Sequence, residues 1–100
     1  MIQVVTVTPK QIQVVLSGGI YAEEAKRIRG SLIEYIDSGH QFISIDLSEV
    51  DYIDGNGLGA LVAIHTRAMA MKGHVEIKGL HGNIKELFEL AKLNKVLEIK

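Results

Sequence analysis

The sequence contains no cysteine and no tryptophan, one proline and few aromatic residues. Without cysteine, the chain can form no disulfide, no thiolate metal site and no cysteine nucleophile, which is consistent with a reducing cytoplasm. It also lacks an excess of either charge, because 11 Lys and Arg oppose 12 Asp and Glu for a net charge of −1. We therefore expect no binding to nucleic acid or to an anionic membrane.

Long apolar runs are absent as well. None approaches the roughly 20 residues that span a bilayer, and no basic segment followed by an apolar stretch begins the sequence. We therefore expect neither membrane insertion nor a signal peptide, and a cytoplasmic location. With 47% hydrophobic and 23% charged residues and a length of 100, the composition is typical of one folded domain, residues 1–100.

The apolar periodicity predicts an alternating α/β domain. The predicted elements are strands at residues 4–7 and 12–16, a helix from 22 that ends at Gly39, a strand at 42–47, a helix at 57–71, a strand at 74–78, a helix from 84 to 91 or 93, and an edge strand at 96–99. The first two strands fit an antiparallel hairpin. The later strand–helix–strand units predict parallel neighbours joined by right-handed crossovers.

The most informative segment is the turn that follows the strand at residues 42–47, where Asp54-Gly-Asn-Gly57 opens a helix. Such a turn exposes backbone N–H groups at the positive end of a helix dipole, so it can hold an anion or contact a partner. It carries no Ser, Thr or Cys that could act as a nucleophile. The helix after it has two apolar faces, Leu58/Leu61/Val62/His65/Met69 and Ala60/Ile64/Arg67/Met71, which fit either deep burial or a partner surface.

Known ligand motifs do not fit this turn. Aligning Gly57 with the glycine of a calcium loop puts Tyr52 and Ala63 where carboxylates are needed. The glycines do not follow the dinucleotide-binding spacing. We therefore expect no cofactor, although a small-molecule or nucleotide sensor stays open as an alternative.

Catalytic and metal-binding arrangements are not predicted either. Asp46, Asp51 and Asp54 lack the second acidic pair that a magnesium site needs, and Asp46 is expected to cap or form a turn. The four histidines lie in different predicted elements, and no serine has a nucleophile-elbow context. We expect no metal and no enzymatic activity.

Three segments together resemble the STAS domains, the family of anti-sigma factor antagonists and sulphate-transporter tails. They are IDLSEV at residues 45–50, the DGNGLG turn at 54–59, and LFELAKLNKVLEI at 87–99. The resemblance implies a mixed sheet of four to five strands with an N-terminal antiparallel hairpin and helices mainly on one face. It also implies a role in protein–protein interaction.

In the antagonists of this family, a Ser or Thr after the aspartate of the turn acts as a phosphorylation switch for binding to a kinase and anti-sigma factor. Here Gly55 occupies that position, Asn56 follows it, and Tyr21 stands where an acidic residue is usual. The resemblance therefore implies an antagonist or regulatory scaffold that is not controlled at this turn. Ser48 and Thr66 lie outside the turn, so phosphorylation of either residue would indicate a different switch.

We expect the partner, an anti-sigma factor or kinase or another STAS protein, to be bound through two segments of the chain. The predicted contact residues are Gly19, Ile20, Tyr21, Asp54, Gly55, Asn56, Gly57 and Leu58. The alternative is a STAS subunit of a larger assembly, such as a stressosome-like particle or a transporter complex, with the same surface as a permanent contact.

Overall fold

The computed structural model describes all 100 residues. Its elements are β1 (Ile2–Thr8), β2 (Gln11–Ile20), α1 (Ala22–Asp37), β3 (Phe42–Ile53), α2 (Gly55–Ala70), β4 (His74–Lys78), α3 (Gly82–Leu90), a short 3₁₀ helix (Leu93–Lys95) and β5 (Glu98–Ile99). The predicted order of elements is confirmed. No helix is both long enough and apolar enough to cross a membrane.

The five strands form one sheet in the order β1-β2-β3-β4-β5, with β1 antiparallel to β2 and the other pairs parallel. Each crossover after β2 leads to the next strand in the same direction. Because such crossovers are right-handed, all three helices lie on one face of the sheet. This confirms the predicted α/β class, the mixed sheet with its N-terminal hairpin, and the one-sided packing of the helices.

The core lies between that face and the helices. In β3, Ile43, Ile45 and Leu47 point toward it and are at most 3% exposed, while the intervening residues face the other side. That other side, the open face, has no helix over it. It presents polar residues and the exposed Phe42.

Three strands are longer than the sequence predicts, and β5 is shorter. Strand β1 spans Ile2–Thr8 instead of 4–7, and β5 has two residues instead of four. Both β2 and β3 continue past their apolar cores to Ile20 and Ile53, and they stay paired through two register shifts. The second half of β3 is rich in polar residues, so its sequence does not indicate a strand. The pairing with β2 holds it extended, and the two strands end side by side.

The buried face of α2 differs from both predicted faces. Its buried residues are Gly57, Ala60, Leu61, Ile64 and Ala68. Deep burial, rather than a partner surface, therefore applies to these residues. They are mainly small, so α2 can lie close to α1 and to the sheet. Met69 and Met71, predicted on the apolar faces, are 53% and 41% exposed.

Candidate functional site

The ends of β2 and β3 bring the two predicted contact segments together. Residues 19–21 and 54–58, called the tip below, are adjacent because Ile20 pairs with Ile53 in the parallel ladder. The Asp54 N–H donates a hydrogen bond of 3.3 Å to the Ile20 carbonyl oxygen. The tip is therefore one surface, built from segments more than thirty positions apart in sequence.

Asp54 is the N-cap of α2. Its Oδ1 accepts a hydrogen bond of 3.1 Å from the Gly57 N–H, and its Oδ2 accepts one of 3.3 Å from the Asn56 side-chain amide. The backbone of Asp54 is extended, as an N-cap requires. The side chain satisfies a free N–H of the first turn and places a negative charge at the positive end of the helix dipole.

The glycines of the turn have different surroundings. A Cβ at Gly57 would overlap the side chains of Ile53 and Ile20, so the helix can approach the sheet only because this residue is glycine. Gly55 is exposed, and a Cβ there would meet no atom within 4 Å. A side chain at position 55 would therefore have open space around it.

Two of the predicted contact residues are not at the surface. Ile20 is 2% exposed and Gly57 is buried against it. The expectation that both contact a partner is corrected accordingly: they support the tip from beneath and offer a partner no side-chain surface. Tyr21, Gly55 and Asn56 are exposed, and Gly19, Asp54 and Leu58 are partly exposed.

An aromatic pair lies beside the tip. The rings of Tyr21 and Tyr52 stack with centroids 5.2 Å apart, and the two residues are 52% and 48% exposed. A Cβ at Gly19 would lie 2.5 Å from the Tyr21 ring, so glycine there leaves room for the stack. Sequence reasoning missed Tyr52, because its closeness to Tyr21 depends on the register of β2 against β3.

Two open grooves flank Gly55. One, between α1 and α2, has a floor of small residues that includes Ala22 and Gly59 and carries Lys26 and Arg29. The other lies between the start of α2 and α3. Its apolar lining consists of Tyr52, Ile53, Leu58, Leu87 and Leu90, the last 80% exposed. Neither groove is predictable from local sequence patterns, since each forms between elements distant along the chain.

Asp46 has the local role that its sequence position predicted. Its Oδ1 accepts a hydrogen bond of 2.8 Å from the Ser48 N–H. That hydrogen bond keeps the pKa of Asp46 below its ordinary value. Asp46 faces Lys78 across the sheet rather than the tip. No group of three or more His, Asp or Glu side chains is placed to share a metal ion.

Known proteins match this chain over nearly its whole length. The anti-sigma-B factor antagonist of Listeria monocytogenes is 30% identical over 89 residues, which cover 89% of this chain and 78% of that protein. The anti-sigma factor antagonist from Mycobacterium paratuberculosis has a similar fold, with a TM-score of 0.85 at 19% identity, covering 99% of this chain and 83% of the other.

The phosphorylated form of the Bacillus cell fate determinant SpoIIAA also has this fold. It superimposes with a TM-score of 0.81 at 16% identity, covering 100% of this chain and 91% of the other. The family model of the STAS domain matches residues 3–100. Because this model covers nearly the whole chain and the fold agrees, the chain belongs to the STAS domain family.

Proposed function

We propose that this chain is a non-catalytic protein-interaction module of the anti-sigma factor antagonist type, which binds its partner through the tip. Its binding is not controlled by phosphorylation of the turn. The observation that carries the proposal is the convergence of residues 19–21 and 54–58 at the ends of two paired strands, where Tyr21, Gly55 and Asn56 are exposed. Recognition residues commonly lie on such connections, held by a scaffold.

The aromatic pair supports a protein as the ligand. Tyrosines supply large contact area with few rotatable bonds, and they are enriched among residues that dominate binding energy. Tyr21 and Tyr52 expose about half of their surface next to Gly55. A partner that covers this stack would gain contacts without reordering it.

The two grooves supply complementary chemistry on either side of Gly55. Lys26 and Arg29 have no acidic partner within 4.0 Å in the chain, so both are free to pair with an acidic side chain. The groove lined by Leu58, Leu87 and Leu90 suits an apolar side chain. We infer that the partner presents an apolar residue and an acidic residue on the two sides of its contact with Gly55.

The absence of a hydroxyl at Gly55 and Asn56 supports binding without the usual switch. Neither Ser48 nor Thr66 replaces it. Ser48 lies on β3 six positions before Asp54, and the Thr66 hydroxyl donates to the Val62 carbonyl within α2. The module we propose is therefore continuously competent for binding, in a cytoplasmic setting.

The first experiment identifies the partner and then measures the contact. The wild-type chain is used as bait in extracts of its native cell, and captured proteins are scored for a histidine-kinase-like ATPase, an anti-sigma factor or another STAS protein. The purified partner is then titrated calorimetrically with wild type, Tyr52→Ala and Phe42→Ala. Phe42 is the matched control, since it is an exposed aromatic residue on the same strand but at its other end.

Tyr52→Ala should weaken binding by roughly 2 kcal/mol, or about thirtyfold, if the stack is a dominant contact. Phe42→Ala should leave the affinity within about twofold of wild type. The reverse pattern would move the interface away from the tip. Capture of other STAS proteins with an unaffected Tyr52→Ala would favour the alternative, a subunit of a larger assembly with contacts elsewhere.

A further inference from the structure

The two edges of the sheet differ in how they are protected. At one edge, β5 has only two residues, and charged groups surround it: His74 hydrogen-bonds Glu98, and the Lys100 Nζ lies 3.4 Å from Glu98 and 3.8 Å from Glu76. Short strands and edge charges are the usual means of preventing strand addition. The β5 edge is therefore closed to a further strand.

The β1 edge has neither of these protections, and its pairing with β2 is irregular only at its end, between Thr6 and Thr8. It is seven residues long, Ile2–Thr8, and contains no charged residue and no proline. Val5 and Val7 are 60% and 48% exposed. An uncharged edge strand rich in β-branched residues is a template for pairing with another strand.

The pairing of β1 with β2 identifies which backbone groups are free. The Met1 amine donates to the Ser17 carbonyl oxygen at 3.0 Å, and the Ser17 N–H donates to the Met1 carbonyl oxygen at 3.1 Å. Hydrogen-bonded pairs alternate along an antiparallel ladder. Ile2, Val4 and Thr6 consequently direct their N–H and C=O groups away from β2 and out of the sheet edge.

We propose that β1 pairs antiparallel with β1 of a second copy of this chain, about a two-fold axis at Val4. Val4 then lies opposite Val4 of the second copy, and Ile2 lies opposite Thr6 of that copy. This register satisfies the free groups of all three residues with roughly six new backbone hydrogen bonds. The two sheets join into one continuous sheet, and the interface is isologous.

Under this symmetry no side chains of like charge oppose one another along the edge. Glu24 and Arg27 of α1 line a recess beside Ile2 on the helix face, and neither forms an ion pair within the chain. Because Ile2 lies opposite Thr6 of the second copy, the two recesses lie at opposite ends of the joint and their charges do not meet. On the open face, Val5 lies opposite Gln3 of the second copy, so no like charges meet.

The edge is separate from the tip. Val4 pairs with Val14, six positions before the end of β2 at Ile20. Pairing through β1 thus leaves both tips accessible, and the dimer presents two copies of the proposed partner surface. A seven-residue edge buries less area than the roughly 1,200 Å² of a stable interface, so the dimer should dissociate on dilution.

Single cysteines test the register directly, because the chain has no other cysteine. In the proposed dimer the two Val4 Cα atoms lie about 5.5 Å apart, within reach of a disulfide. Val4→Cys should therefore form a disulfide-linked dimer under mild oxidation. Thr8→Cys is the matched control on the same strand. In the proposed register the two Thr8 positions lie eight residues apart along the strands, so their sulfurs are roughly 27 Å apart. Thr8→Cys should stay monomeric on a non-reducing gel.

Sedimentation across a wide range of concentration tests the edge itself. Wild type should approach about 22 kDa, twice the 11.0 kDa of the chain, at high concentration. Val5→Lys should weaken dimerisation by about tenfold, since it places two added charges near the axis. Gln13→Lys adds the same charge on the same face, on the neighbouring strand, and should dimerise as wild type does.

A wild type that is monomeric at every concentration would overturn the proposal. So would equal cross-linking of Val4→Cys and Thr8→Cys, which would indicate random collision rather than a register. A dimer that Val5→Lys does not weaken would place the interface elsewhere. None of these outcomes depends on the identity of the tip's partner.

Discussion

Replacing Asp54 with alanine tests whether the turn is held by its N-cap. The substitution removes both side-chain acceptors, leaving the Gly57 N–H and the Asn56 amide without their partner. Loss of an N-cap costs about 0.5 to 2 kcal/mol, typically about 1 kcal/mol. A domain of this size has a total stability of roughly 5 to 15 kcal/mol, so Asp54→Ala should remain folded.

The loss should be measurable by thermal and urea unfolding. For a domain of 60 to 100 residues, about 1 kcal/mol corresponds to a fall in Tm of roughly 4 to 8 °C. The urea midpoint should fall with an unchanged slope, because the surface exposed on unfolding stays the same. Circular dichroism should retain the wild-type signal below the transition.

Two further variants separate the cap from the charge. Asp54→Asn keeps an acceptor for the Gly57 N–H and should retain most of the stability, since asparagine is also a good N-cap. Asp51→Ala removes the same charge from an exposed position on β3 and should change stability by less than about 0.5 kcal/mol. If Asp54→Ala is as stable as wild type, or if it does not fold, the cap is not the role of this side chain.

Intact mass should be unchanged after incubation with ATP and a captured kinase, because Gly55 and Asn56 have no hydroxyl; a phosphopeptide within residues 51–60 would contradict this. Gly55→Ser combined with Tyr21→Asp should accept phosphate, since the position has open space, and phosphorylation should weaken partner binding. Equal affinities with and without phosphate would remove the tip as the docking surface. Asp46 has a lowered pKa, so it stabilises the fold above its ordinary value of 3.8 and loses that contribution as the pH falls through its folded pKa. Urea unfolding of Asp46→Asn should therefore depend less steeply on pH in that acid range, and identical profiles would refute the assignment.

The spacing of apolar residues predicted those elements that pack one face against the core, because that face must be apolar. Strand β4 has the predicted bounds, and α1 begins at the predicted residue, because alternation and helical spacing are written in the residues themselves. The second half of β3 lacks such a pattern and was not predicted. Its polar residues give no alternation, and only the ladder with β2 keeps it extended.

The candidate site also has features that the sequence predicts and features that it does not. The start of a helix at the Asp54 turn and the lack of a hydroxyl at Gly55 follow from the sequence, since both depend on single residues and their neighbours along the chain. The Tyr21–Tyr52 stack, the cationic and apolar grooves, and the burial of Ile20 do not. Each depends on register or on the distance between elements.

The sequence by itself determined the fold class, the order of elements and the chemistry that the turn lacks, because these depend on local periodicity and residue type. Only the tertiary structure decided which face of α2 is buried, which residues surround Gly55, and which sheet edge is left unprotected. The β1 edge is the clearest case. Its residues read as an ordinary strand, and its free hydrogen-bonding groups exist only because the sheet order leaves Ile2–Thr8 with a neighbour on one side alone.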